Sequence, residues 1–159
     1  MGKCDCSAPW YHGSPEKLTV LRKGSWVTQF EPMAKAFAHR PTLISLGDNC
    51  VDVKHNGQWP GFLYVVSEYV SPEDVTYLYD TARTHWQTNR DVQVRIVTEL
   101  PLDDPPQLSA KEIAELRKDM PEGTSGIVCS PDEELVGWEV CDEDRQPADK
   151  TGRFAPCHP

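Results

Sequence analysis

The sequence has little positive charge and no long apolar run. Of its 159 residues, 16 are lysine or arginine and 25 are aspartate or glutamate, so the formal net charge is −9. Such a surface repels phosphate backbones, and a nucleic-acid substrate would therefore require a local basic patch. The basic residues that cluster, Lys17, Arg22 and Lys23, form a group typical of a solvated loop. The composition therefore argues against DNA or RNA as a partner.

No apolar stretch reaches the length needed to cross a bilayer, which is about 20 residues. No charged segment followed by an apolar one precedes Cys4, as a secretory leader would require. We therefore expect a soluble, cytoplasmic protein without a membrane partner. The length suits one domain with a modest core, because 38% of the residues are hydrophobic.

The six cysteines have two interpretations beyond free thiols. An even number predicts disulfides in a secreted chain, but nothing here marks secretion, so free thiols are favoured. Cys4 and Cys6, with Cys157 and His158, offer four ligands of the kind that zinc accepts. One residue separates the first pair, whereas two are usual, and we expect no metal site. A metal-binding interaction module built on Cys4, Cys6, Cys141 and Cys157 is the alternative.

Residues 1–102 have the pattern of an α+β core. Phe62–Val66 predicts a strand buried on both faces, and Val92–Val97 alternates as a further strand. Pro32 suits the first turn of a helix that continues to about His39, with apolar residues at three- and four-residue spacing. The mixture of short strands and few helices predicts the α+β class.

Residues 103–159 differ in character and predict a C-terminal extension packed on the same domain. Asp103–Pro106 has the composition of a linker. Ser109 and Glu112 match a capping box at the start of a helix. Two later apolar runs predict a hairpin, at Ile127–Cys129 and Leu135–Val140.

The most informative motif lies near the N-terminus, where Tyr11 precedes His12, Gly13 and Ser14. A short strand, Ser25–Thr28, follows with Trp26, and the predicted helix then carries Phe37 eleven residues later. This series resembles the opening of the ADP-ribosyltransferase fold, in the branch of the diphtheria toxin catalytic domain, the poly(ADP-ribose) polymerases and the rifampin-modifying transferases. The resemblance implies a split, mixed β-sheet core with few short helices, and NAD as co-substrate.

The resemblance also implies roles for these residues. In that family the motif's histidine bonds the adenosine-side ribose, so His12 would do so here. The backbone of Gly13 would pair with the nicotinamide amide, where a side chain would block close approach, and Ser14 completes the NAD-holding element. Trp26 and Phe37 would stack on the nicotinamide ring, with Trp26 in the position of the family's tyrosine.

The family's catalytic glutamate has no clear counterpart. Alignment on a later aromatic residue and the following strand places His85 in the glutamate position. A neutral imidazole accepts a hydrogen bond from a ribose hydroxyl, but it carries no negative charge to stabilise the developing cation. Asp91, or less favourably Glu99, supplies a carboxylate if the alignment is shifted.

The leading hypothesis is therefore an NAD-dependent mono-ADP-ribosyltransferase that modifies an unknown protein or small-molecule acceptor. In this hypothesis His85 or Asp91 acts near the ribose. The alternative is a domain of the same fold that binds NAD, a related nucleotide or a protein partner without transferring anything.

Overall fold

The fold is mixed α+β and consists mainly of β-sheet. The computed structural model describes residues 5–47, 52–81, 83–118, 126–128 and 136–137. Two helices lie in these ranges, α1 (Glu31–Phe37) and α2 (Ala110–Arg117). The strands are β1 (Tyr11–Ser14), β2 (Val20–Leu21), β3 (Trp26–Val27), β4 (Leu43–Ser45), β5 (Lys54–His55), β6 (Gly61–Val66), β7 (Val75–Thr81), β8 (Arg83–Thr88), β9 (Val92–Leu100), β10 (Gly126–Val128) and β11 (Val136–Gly137).

The strands are arranged in three sheets. The first has the order β1-β6-β9-β2, and all of its pairs are antiparallel. The second has the order β11-β10-β4-β5, in which β10 and β4 are parallel. The third is the antiparallel set β3-β8-β7. The α+β class predicted from the sequence is confirmed.

The first sheet is covered on both faces, and this produces two hydrophobic clusters. Because side chains alternate along a strand, Leu63 and Tyr64 of β6 point to opposite faces. Leu63 packs in the cluster with α1 and Trp26, whereas Tyr64 packs in the cluster with Val27 and Trp86. The sheet β3-β8-β7 thus contributes to both clusters, from its two faces.

Helix α1 forms where the proline and the apolar spacing predict it. Glu31 and Pro32 stand in its first turn, where a negative charge and a residue without an N–H are both favourable. Its buried residues are Met33, Ala34, Ala36 and Phe37. The helix ends two residues earlier than predicted, and Arg40 then adopts a positive φ of 52°.

Two strands of the first sheet approach α1 so closely that only glycine fits at the contact. A Cβ atom on Gly13 of β1 would lie 1.8 Å from the carbonyl oxygen of Ala34. A Cβ atom on Gly61 of β6 would lie 2.6 Å from the carbonyl oxygen of Ala38. Both neighbours are backbone atoms, which do not rotate away, so these glycines set the distance between the helix and the sheet.

The strand predictions are correct in position but incomplete. Phe62–Val66 lies in β6, and its centre is buried on both faces, through Leu63 and Tyr64. Phe62, Val65 and Val66 are only half-buried, so the predicted burial does not extend along the whole strand. Val92–Val97 lies in β9, which continues to Leu100. The hairpin of β7 and β8 was not predicted, although its first strand is rich in valine, threonine and tyrosine, which favour strands.

The C-terminal residues that the structure describes join the core directly. The capping box at α2 is confirmed, because Ser109 Oγ accepts from Glu112 N–H and Glu112 accepts from Ser109 N–H. Strand β10 extends the sheet of β4 and β5, and it pairs with β11 as the predicted hairpin requires. The other residues of that predicted hairpin lie outside the described ranges.

The segment at residues 103–106 is not a free linker, because two buried histidines bind its backbone. The Nε2 atom of His39 lies 2.8 Å from the carbonyl oxygen of Asp104, and its Nδ1 atom lies 2.6 Å from that of Trp59. The Nε2 atom of His55 lies 2.9 Å from the carbonyl oxygen of Pro105. The two imidazoles stack with centroids 4.6 Å apart. This stack, His39 with His55, joins the predicted core to the predicted extension.

The protonation of His55 follows from its partners. Its Nδ1 atom accepts a hydrogen bond from Gly57 N–H, so the proton of the neutral ring is on Nε2. Burial, and then the charge of nearby His39, lower the pKa of His55 to about 4; carbonyls of Pro105 and Leu102 and the charge of Asp104 oppose the shift. His55 is therefore a neutral imidazole in the folded protein near pH 7.

We expect acid to destabilise the protein partly through His55. Below about pH 6.5 the unfolded chain binds a proton on this ring, but the folded chain does so only near pH 4. The contribution of neutral His55 to the free energy of unfolding is therefore fully present above about pH 6.5. It falls by up to about 3 kcal/mol as the pH decreases to about 4. Urea unfolding across this range, with wild type and His55→Asn, measures it. Asparagine keeps an acceptor for Gly57 N–H but does not titrate, so its stability should fall less steeply; equal slopes would contradict the assignment.

Cys6 is disulfide-bonded, so the free thiol expected at this position is wrong; spacing along a sequence does not show which distant thiols meet. The other cysteines, and His158, lie outside the described residues. Within the described ranges, no group of three or more histidine, cysteine or acidic residues could hold a metal ion. In the same ranges, no helix is long and apolar enough to cross a membrane.

Candidate functional site

The predicted site begins at His12, which lies in β1 and is 1% exposed. Its Nδ1 atom lies 2.6 Å from the backbone carbonyl oxygen of Trp26. Because a carbonyl oxygen only accepts, Nδ1 must carry the proton of this bond. In the neutral ring, Nε2 therefore has the lone pair and acts as an acceptor.

Trp26 and His85 come to the same face of the third sheet through the register of β3 and β8. Trp26 pairs with Gln87, and His85 is two residues from Gln87, so all three side chains point to one face. The rings of Trp26 and His85 have centroids 5.4 Å apart. The neighbouring residues Val27 and Trp86 point to the other face.

Phe37, at the end of α1, completes a group of four rings. Its centroid lies 4.5 Å from that of Trp26 and 6.4 Å from that of His85. The ring of His12 lies 6.4 Å from that of Trp26. We call His12, Trp26, Phe37 and His85 the ring cluster. Four residues from separate elements, which the sequence singled out for one site, are thus adjacent in the structure.

The ring cluster is closed rather than open. Trp26 is 8% exposed, Phe37 4% and His85 0%. Trp26 and Phe37 touch each other with an interplanar angle of 58°. A flat ring between them would require roughly 7 Å of separation, which is twice an ordinary contact distance. The two side chains that were predicted to stack on a ligand therefore pack against each other, in a tilted arrangement.

Gly13 directs its backbone groups toward the ring cluster. Tyr11 exchanges two backbone hydrogen bonds with Thr28, of 2.7 and 3.0 Å, so its N–H and C=O point away from β6. This direction repeats every second residue along a strand. The N–H and C=O of Gly13 therefore also point away from β6, to the side of β1 where β3 and Trp26 lie. We find no partner for these two groups among the described residues.

Gly13 also has a structural role that the motif alone did not predict. The space beside its Cα atom is occupied by the backbone of Ala34 in α1 and of Ala38, which directly follows the helix. The absence of a side chain is thus required by helix packing. Its backbone groups lie in the plane of the sheet, so this packing leaves them available.

Ser14 is part of the strand and not of the ring cluster. It is fully buried, and its Oγ accepts a hydrogen bond of 3.0 Å from Glu16 N–H. This bond shapes the turn that follows β1, as serine commonly does. The structure therefore explains Ser14 by a local bond.

The two candidate carboxylates lie apart from the ring cluster. Asp91 stands exposed in the turn between β8 and β9, where it accepts a hydrogen bond of 2.8 Å from Lys23 N–H. Glu99 is exposed on β9, opposite Phe62. His85 is the candidate for the catalytic position that the structure brings to the rings, and it is not a carboxylate.

Tyr11 and Glu31 are neighbours of the site that the sequence reasoning did not assign. Tyr11 packs against the cluster of apolar residues around α1. Burial, and then the charge of Glu31 and a hydrogen bond to it, raise the pKa of the Tyr11 hydroxyl. The aromatic residue before the motif's histidine thus connects β1 to the first turn of α1.

A separate open cleft of about 460 Å³ lies beside the stack of His39 and His55. Gly57, Gln58, Leu102, Asp103 and Gln107 line it. None of the site residues predicted from the sequence is among them.

No family model, no curated protein and no solved structure matches this chain.

Proposed function

We propose that the chain is an NAD-binding, ADP-ribosyltransferase-like protein that transfers ADP-ribose to a protein or small-molecule acceptor. The observation that carries the proposal is the direction of the Gly13 N–H and C=O groups, which point away from β6 toward the ring cluster. A ligand that fits it must present a hydrogen-bond acceptor and a donor side by side, next to a flat apolar ring. The carboxamide and pyridine ring of nicotinamide have this combination.

The tautomer of His12 supports a ligand that also carries a sugar. With its proton on Nδ1 and directed to Trp26, the ring offers a lone pair on Nε2. Such a nitrogen accepts hydrogen bonds from ribose hydroxyls. A dinucleotide carrying nicotinamide and ribose therefore matches both His12 and Gly13.

Binding in this proposal requires the ring cluster to open. Trp26 and Phe37 would separate from a centroid distance of 4.5 Å to roughly 7 Å, with the pyridine ring between them. The pyridine ring would replace the contact that the two side chains lose. Offset or tilted stacking of each ring on the ligand is worth about 0.5–1.5 kcal/mol beyond area burial.

The transfer step breaks the bond between the nicotinamide nitrogen and C1′ of the ribose. The electron pair leaves with nicotinamide, positive charge develops on the ribose, and a nucleophile of the acceptor bonds to C1′ and loses its proton. His85 as a neutral imidazole would orient a ribose hydroxyl. It would not supply the negative charge that stabilises such a transition state most effectively.

Binding without transfer is the second candidate, and the placement of Asp91 favours it. The best-placed carboxylate in the sequence is used to bond Lys23 N–H in an exposed turn. Incubation with NAD labelled in the adenine ring, with and without cell extract, separates the candidates. Label transferred to an acceptor supports the transferase, and NAD affinity without transfer supports the binding domain.

The backbone N–H and C=O groups of Gly13 should distinguish nicotinamide from nicotinic acid. Nicotinic acid is ionised near pH 7, and its carboxylate has no donor for the Gly13 carbonyl oxygen. We expect nicotinamide to bind at least about 10-fold more tightly, equivalent to about 1.4 kcal/mol. Isothermal titration with the two compounds measures the difference. Equal affinities, or preference for the acid, would contradict the pairing with Gly13.

A further inference from the structure

Trp26 carries a buried donor that the fold leaves unused. Its indole Nε1 atom has no hydrogen-bond partner among the residues that the structure describes, and the residue is 8% exposed in the centre of the ring cluster. A buried donor without an acceptor destabilises a protein relative to a paired one. The other donor at this point, Nδ1–H of His12, is paired with the Trp26 carbonyl oxygen at 2.6 Å. The backbone of Trp26 is therefore satisfied there, whereas its side-chain N–H is not.

Packing alone does not require an N–H group at this position. The neighbouring rings of Phe37 and His85 contact Trp26 through their faces and edges, which any flat aromatic side chain provides. Packing therefore does not explain the Nε1–H group of Trp26.

We propose that the Nε1–H group of Trp26 donates a hydrogen bond to an uncharged oxygen of the bound ligand, which makes Trp26 a specificity-determining residue. The proposal rests on the proposed NAD site. It assigns to Trp26 a recognition role in addition to stacking. The ligand oxygen is a ribose hydroxyl, the ribose ring oxygen or the carboxamide oxygen.

The surroundings of Trp26 select an uncharged oxygen over a phosphate oxygen. The buried polar side chains that the structure describes are serine, threonine and histidine, with no lysine or arginine among them. A phosphate placed beside Trp26 would therefore lack a compensating positive charge, which is costly in a buried site. A neutral sugar or amide oxygen requires only the donor.

The test removes the N–H group and keeps the shape of the ring. We expect 3-benzothienylalanine at position 26, in which sulfur replaces the N–H, to weaken NAD binding about 10-fold in isothermal titration. Trp26→Phe should weaken it at least as much, because it also loses stacking area. The same two replacements at Trp86 are the matched control. Trp86 is likewise buried (3% exposed), and its Nε1 has no partner within the described ranges, but it packs in the other hydrophobic cluster.

Each outcome has one meaning. Wild-type affinity in the benzothienyl variant at position 26 overturns the role of the N–H group while leaving the NAD site intact. An equal loss of affinity from the replacements at Trp86 also overturns it, because the effect would then come from core packing. Absence of NAD binding by the wild-type protein refutes the proposed function itself, and this inference with it.

Discussion

Replacing Gly13 with alanine is expected to destabilise the protein by about 3 kcal/mol or more. The added Cβ atom would lie 1.8 Å from the carbonyl oxygen of Ala34 and 2.8 Å from the nitrogen of Ala38. Both are backbone atoms of the region at α1, so the helix would have to move away from β1. The movement would also displace Phe37 from Trp26. Urea unfolding followed by far-UV circular dichroism measures the loss of stability.

Two other substitutions calibrate this result. Gly61→Ala places a Cβ atom 2.6 Å from the carbonyl oxygen of Ala38, a milder overlap, and should destabilise less than Gly13→Ala. Thr98→Ala, on an exposed position of the same sheet, should change stability by no more than about 0.5 kcal/mol. A Gly13→Ala protein as stable as wild type would show that α1 does not pack on β1 as described.

Replacing His12 with asparagine is expected to abolish NAD binding while the protein remains folded. The asparagine amide nitrogen stands near the position of Nδ1, so it can still donate to the Trp26 carbonyl oxygen. No atom of asparagine reaches the position of Nε2, so the proposed bond to the ribose is lost. We expect the increase in melting temperature that NAD produces in wild type to disappear.

His12→Gln is the complementary variant. Its amide group reaches toward the position of Nε2 but leaves the carbonyl oxygen of Trp26 without its donor. It should lower the melting temperature of the free protein more than His12→Asn does, since an unsatisfied buried acceptor destabilises the fold. If His12→Asn retained NAD-dependent protection with unchanged midpoint concentration, the proposed role of Nε2 would be wrong.

The individual elements of the site were predictable because local patterns determine them. Pro32 and the apolar spacing indicated α1. The order of His12, Trp26 and Phe37 indicated one site through its resemblance to a family pattern, and the structure places their rings next to each other. His85 was reached only by alignment to a family pattern. The hairpin that carries it was not predicted, because apolar and polar residues do not alternate regularly along β7 and β8. The pairing of the two strands is also irregular, with a register shift between Tyr77 and Tyr79.

Whether the site is open or closed could not be predicted from these patterns. Whether Trp26 and Phe37 enclose a space or touch each other depends on how closely α1 approaches β1, and Gly13 sets that distance. The sequence indicated Asp91 as a candidate carboxylate, but its side-chain oxygen accepts a hydrogen bond from the N–H of Lys23, 68 positions away in the chain. Such contacts join residues that are tens of positions apart, and spacing along the chain carries no information about them.

A family resemblance carried by the sequence indicated His12, Trp26 and Phe37. The sequence by itself determined the α+β class, the capping box of α2, and the positions of α1, β6 and β9. These features depend on the conformational preferences and periodicity of neighbouring residues. Only the tertiary structure decided that residues 103–106 are bound by His39 and His55, that Cys6 is disulfide-bonded, and that the four rings form a closed cluster. Those outcomes depend on distances between separate elements, which are set when helix and sheets pack together.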